Sequence, residues 1–133
     1  EEVWVGCQSG KVLRFCGTNL EVLDSFVAFD SAIQTLVYVP YPLSVWIFSA
    51  VEQSVTFWCA STAQPLSAPR ATTAPVLCAS VSSDGRMVVC GTKTGTILWW
   101  DTYEVSLLRI ESSKHKAPIG AVGLGRRKTG GRG

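Results

Sequence analysis

The run Val3-Trp4-Val5-Gly6-Cys7-Gln8-Ser9-Gly10-Lys11-Val12-Leu13-Arg14-Phe15 superposes on Val88 to Trp100 at a constant offset of 85 residues, with Gly6 falling on Gly91 and Gly10 on Gly95. The same frame recurs between them. Val45-Trp46-Ile47 follows Val3-Trp4-Val5 by 42 residues, and Val55-Thr56-Phe57-Trp58 follows Val12-Leu13-Arg14-Phe15 by 43. Ile33, Val76 and Ile119 are spaced by 43 as well. A period of about 43 residues constrains the chain more than any other feature, because one such unit cannot bury its own apolar side and must stack against its neighbours.

Each period reads as four short strands. The first is apolar (Ile33 to Val39, Val76 to Val81, Ile119 to Leu124) and the second carries a Val-Trp or Met-Val start. The third ends in a large aromatic, and the fourth is less regular (Glu21 to Val27, Val105 to Ile110). Runs of Val, Ile, Trp and Phe bounded by Gly, Pro, Ser and Asp are strand signals with turn punctuation, and helical periodicity is absent. Ser83-Asp84-Gly85 and Thr94-Gly95 predict tight hairpin turns, glycine supplying the positive φ. The expected class is therefore all-β, built of four-stranded antiparallel units over residues 1–125, followed by a flexible basic tail at 126–133. The repeat phase places strands two to four of one unit first, then two whole units, then the first strand of a further one.

The run Ala74 to Asp101, APVLCASVSSDGRMVVCGTKTGTILWWD, resembles a WD-repeat blade almost throughout. His115-Lys116-Ala117-Pro118-Ile119-Gly120-Ala121-Val122 looks like the histidine-bearing approach to another blade. Val3-Trp4-Val5-Gly6-Cys7, with Gly10 and Phe15, is also similar to blade openings in large intracellular signalling proteins such as Rho exchange factors, DENN proteins and Roco kinases. The resemblance implies a β-propeller that works as a non-enzymatic protein-binding scaffold within a larger intracellular signalling or regulatory protein. It also implies a buried polar set of Asp, His, Ser or Thr, and Trp. Thr92 and Trp100 match that set, but Thr94 stands where the aspartate belongs and Arg70-Ala71-Thr72-Thr73 replaces the histidine lead-in. Apolar packing is thus expected to hold the blades together. Propellers use roughly 4 to 8 blades, so the ring in this chain is incomplete. The remaining blades come from a longer chain or from a second copy; in the second case the Ile119 strand pairs beside the Val3 strand of the other copy, giving six blades.

Hydrophobic residues make up 47% and charged ones 17%, ample for a core. A net charge of +2 does not by itself demand nucleic acid or a membrane as partner. The most apolar stretch, Leu36 to Val51, is broken by Pro40 and Pro42 and falls short of the roughly 20 residues a spanning helix needs, and the acidic Glu1-Glu2 start does not read as a signal peptide. Five scattered cysteines and a single histidine make a poor zinc site or disulfide framework; they read as small hydrophobes of a reducing, cytoplasmic protein.

Neither Gly-rich segment has phosphate-loop chemistry. Gly91-Thr92-Lys93-Thr94-Gly95 lacks the Gly-Lys-Ser/Thr ending, and the stretch from Gly125 has Gly131 where the lysine belongs. No enzyme activity, cofactor or metal is expected. Binding then falls to the loops joining second to third strands and fourth to next first strands. These hold Gln8, Ser9, Asp30, Glu52 and Gln53 together with the cationic set Arg70, Lys93, Lys114, His115 and Lys116, which points to an acidic peptide or protein partner. The tail offers a second reading: Arg126, Arg127, Lys128 and Arg132 in an Arg/Gly segment suit RNA phosphates and stacking.

Overall fold

The computed structural model describes residues 1–112 and 117–125. Its eleven strands, all paired antiparallel, form three sheets. The first sheet orders β1 (Glu2–Gly6), β2 (Lys11–Cys16) and β3 (Val22–Val27). The second holds β4 (Ile33–Val39), β5 (Ser44–Ser49), β6 (Ser54–Cys59) and β7 (Arg70–Ala71), and the third holds β8 (Val76–Val81), β9 (Met87–Thr92), β10 (Thr96–Asp101) and β11 (Ser106–Ser112). No helix among the described residues is long and apolar enough to cross a membrane.

The sequence repeat is a repeat of register. Trp4 lies opposite Arg14, Trp46 opposite Phe57 and Val89 opposite Trp99, one position in three sheets. The first strands also agree in detail. Ile33 faces Ser49 and Thr35 faces Phe48, while Val76 faces Thr92 and Cys78 faces Gly91, each ladder skipping one residue at the same place. The last ladders slip alike, between Arg14 and Phe15 and between Trp99 and Trp100. Gly10 and Gly95 hold φ of +89° and +87° in equivalent hairpins, a region that side chains with a Cβ rarely occupy.

Alternation along the strands sends one set of side chains to each neighbouring sheet. Val12 with Trp4 and Phe26 of the first sheet packs on Val45, Ile47 and Trp58 of the second. The other face of the second sheet presents Trp46, Phe48, Val55 and Phe57 to Val88, Cys90, Leu98 and Trp100 of the third. Trp46 and Trp100 meet edge to face at 5.9 Å, and Phe26 and Trp58 lie at 4.4 Å. Each fully buried aromatic or aliphatic side chain contributes about 1.5–3 kcal/mol, so these two seams supply much of the fold's stability.

Two segments differ from the expected pattern. The fourth strand of the second sheet shrinks to Arg70–Ala71, preceded by one isolated bridge between Trp58 and Pro65. Pro65 and Pro69 lack the N–H that a longer ladder needs here. Ile119 to Leu124, expected as a strand, forms no ladder among the described residues. Its anchor is nonetheless in place: Ile119 N–H donates to Thr92 O at 3.0 Å, as Ile33 N–H donates to Cys7 O at 3.0 Å.

Candidate functional site

The connections fold back on their own sheets. Ala28 N–H donates to Gly10 O, and Thr72 N–H donates to Gln53 O, so the loops leading to the next sheet lie against the turns between second and third strands. Lys93 N–H reaches Pro75 O at 2.9 Å, tying the third sheet's turn to the loop that follows Arg70. The layout therefore gathers Gln8, Ser9, Asp30, Glu52, Gln53, Arg70 and Lys93 at one end of the stack. Arg70 and Lys93 are exposed, and among the described residues neither forms an ion pair. Glu52, by contrast, accepts a hydrogen bond from the Ser31 hydroxyl at 2.8 Å. Lys114, His115 and Lys116 lie outside the described residues, as do Arg126, Arg127, Lys128 and Arg132 of the tail.

The polar set suggested by the blade resemblance is broken in a specific way. Thr92 Oγ1 bonds to the hydroxyls of Thr94, at 3.3 Å, and Thr96, and it also accepts the Thr96 N–H. Trp100 Nε1 is buried with no hydrogen-bond partner among the described residues. An unpaired buried N–H costs about 1–3 kcal/mol, of which the perpendicular packing on Trp46, worth about 0.5–1.5 kcal/mol, offsets a part.

Cys16, Cys59 and Asp101 occupy one repeat position, at the start of the turn after the third strand. Asp101 Oδ2 accepts the Glu104 N–H at 2.7 Å, the turn-fixing role expected of it. The two cysteines perform a related task with sulfur: Cys16 Sγ lies 3.1 Å from the Thr18 hydroxyl and Cys59 Sγ 3.3 Å from that of Ser61. Hydrogen bonding to the anion lowers the Cys16 thiol to about 7, with Thr18 the main cause, and the Cys59 thiol to about 6, with the Ser61 and Thr62 hydroxyls the main causes. Burial instead raises Cys78 and Cys90. The expectation that all five cysteines are simple hydrophobes is thus corrected for these two, whose Cys-x-Ser/Thr pattern was the available signal. All five are free thiols. The described residues contain no group of three His, Cys, Asp or Glu side chains placed to hold a metal.

The second candidate surface is the outer edge of β1, which the sequence phase points to. β1 pairs only with β2, whereas its counterparts β5 and β9 are flanked on both sides. A cleft of about 580 Å³ opens between β1 and β4, lined by Glu2, Trp4, Leu36, Tyr38, Leu43 and Val45 among others. One face of the first sheet is also uncovered. Val3 and Val5 are 48% and 41% exposed, while their equivalents are buried: Val45 and Ile47 at 4% and 0%, and Val88 and Cys90 both at 0%. On the covered face, Arg14 stands where Phe57 and Trp99 stand in the other sheets. It makes a two-point hydrogen bond to Glu2 (Nε to Oε1 and Nη2 to Oε2, both 3.0 Å) and another to Asp24 at 2.9 Å. Its guanidinium also lies 5.5 Å from the Trp4 ring. Sequence reading missed this network, although the cross-strand register of Glu2, Arg14 and Asp24 encodes it.

No family model matches the chain, and no curated protein matches it in sequence. Solved structures do match in shape. The chain is similar to the computationally designed protein Ika8, with 21% identity over 94% of this chain and a TM-score of 0.78. It is similar to the computationally designed protein Ika4 with 21% identity over 94% of this chain and a TM-score of 0.77. The chain spans 37% of the length of Ika8 and 74% of that of Ika4. At this identity the likeness is one of fold alone.

Proposed function

We propose that the three sheets are blades of a β-propeller and that the chain is a non-enzymatic binding scaffold, part of a larger intracellular signalling or regulatory protein, whose loop-bearing rim docks an acidic peptide or protein segment. One observation carries the reading. Arg70, at the start of the short strand β7 rather than on the loop expected for it, and Lys93, in the turn after β9, are exposed cations at one end of the second and third sheets, and neither is in an ion pair among the described residues. Loops held by a rigid scaffold are the common location of binding residues, and unpaired cations attract an acidic segment at a rate and strength that fall with salt.

The test is fluorescence anisotropy with a labelled glutamate-rich peptide against the chain and its Arg70→Glu/Lys93→Glu variant. Expected is saturable, salt-sensitive binding that weakens by about tenfold or more in the variant. Equal binding by both proteins contradicts the rim assignment.

A further inference from the structure

The seam between the first and second sheets opens at its loop end into a groove of about 310 Å³, lined by Val27, Phe29, Asp30, Glu52, Thr56 and Pro69 among others. All of its walls lie between residues 27 and 69, in two adjacent sheets and the connection that joins them. The next seam shows why there is space here. Thr56 lies opposite Ile47 as Leu98 lies opposite Cys90, so the two hold one repeat position. Leu98 is fully buried between the second and third sheets, whereas Thr56 is half-buried. By the same repeat Asp30 falls on Thr73 and Glu52 on Thr94. A shorter, polar side chain thus leaves a groove where the next seam is filled, and two carboxylates stand at its mouth where the next seam has hydroxyls.

One of these carboxylates is held in place. Glu52 Oε2 accepts the Ser31 hydroxyl at 2.8 Å, and Ser31 is bonded in turn to the Ser49 hydroxyl at 2.8 Å. Ser49 is wholly buried, and its oxygen accepts the N–H groups of Val51 and Glu52. Among the described residues neither Glu52 nor Asp30 is in an ion pair, and Arg70, which follows Pro69 of the groove wall, joins neither of them. Val27, Phe29 and Pro69 give the groove an apolar side. An apolar wall leading to negative charge suits a long side chain with a methylene stem and a cationic end.

We propose that this groove takes a lysine or arginine side chain of the segment that docks on the rim, so that the partner is of mixed charge rather than acidic throughout. Charge changes sign along this end of the molecule, from Asp30 and Glu52 at the first seam to Arg70 and Lys93 at the second and third sheets. A segment laid across it matches both halves when a basic residue precedes or follows its acidic ones. A wholly acidic segment meets repulsion at the groove, which makes the same two carboxylates a device of selection. The inference rests on the rim reading for the acidic half of the partner; the groove alone carries the basic half.

Fluorescence anisotropy with three labelled peptides is the test: a glutamate block, an arginine block, and the two joined through a Gly/Ser spacer. The joined peptide is expected to bind at least about tenfold more tightly than the glutamate block. Thr56→Leu copies the third sheet's residue and leaves every charge in place; it is expected to remove that gain while binding of the glutamate block stays unchanged. Should Thr56→Leu fail to fold, Asp30→Asn/Glu52→Gln, at exposed positions, is expected to remove the gain as well. A joined peptide that binds no better than the glutamate block overturns the proposal and leaves the rim reading intact, as does a gain that survives in folded Thr56→Leu or in Asp30→Asn/Glu52→Gln. An arginine block that binds through Asp30 and Glu52, with no binding of the glutamate block, supports the groove and overturns the rim reading instead.

Discussion

The first and second sheets are written in nearly the same residues and yet live in different surroundings. Val3, Trp4 and Val5 occupy the positions of Val45, Trp46 and Ile47, in the same cross-strand register. In the second sheet all three are buried between neighbours; in the first, the two valines face outward and Trp4 is half-buried against Phe26. The strand pattern thus fixes which side chains share a face, and only a neighbouring sheet makes that face a core. Arg14 shows the same point from the other side. Where the second and third sheets carry Phe57 and Trp99, the first carries a buried cation that Glu2 and Asp24 neutralise.

The comparison breaks most visibly under charge insertion. Ile47→Lys places an ammonium in a sealed seam and is expected to cost at least about 4 kcal/mol or abolish folding, whereas Val5→Lys stays within about 1 kcal/mol; urea unfolding of the two variants measures the gap. Trp46→Ala should cost about 3–5 kcal/mol by opening a cavity against Trp100 and Phe57, and Trp4→Ala about half of that. Arg14→Ala leaves Glu2 without its two-point partner and should cost about 1–3 kcal/mol, more than Arg109→Ala, whose pairing with Glu111 at 3.6 Å is solvent-exposed and worth under about 1 kcal/mol. Trp100→Phe removes an unpaired N–H along with some bulk, so a loss below about 1.5 kcal/mol is expected by the same method.

The smallest effect is chemical. A thiolate, not a thiol, attacks iodoacetamide. Because the lowered group is charged above its own pKa, alkylation of Cys59 should rise through about pH 6 and that of Cys16 through about pH 7. Cys90, whose charged form burial disfavours, should react only when the protein unfolds. Mass spectrometry of digests across pH resolves the three, and equal labelling of Cys59 and Cys90 in the folded protein would contradict the turn geometry.

Much of the architecture was legible because the repeat fixes strand order and turn positions. Gly85 and Gly95 marked hairpin turns in the sequence, and both take positive φ. One departure had a local cause, Pro65 and Pro69 interrupting a ladder by lacking donors; at the other, Ile119 to Leu124 meets no pairing strand among the described residues. The site was less legible. Lys93 and Arg70 were proposed from an expected loop position, which holds for Lys93 and not for Arg70 in β7, and no pattern in one sequence reports the cleft beside β1. The lowered thiols of Cys16 and Cys59 depend on hydroxyl orientation in a turn, which residue spacing only suggests.

Hydrogen exchange of equivalent segments tests the account most directly. Amides of Ser44–Ser49, buried in the middle of the second sheet, should exchange only through global unfolding, while those of Glu2–Gly6 exchange through local opening at rates orders of magnitude faster. Equal protection of the two segments would contradict the claim that neighbours, rather than the strands themselves, decide what is core.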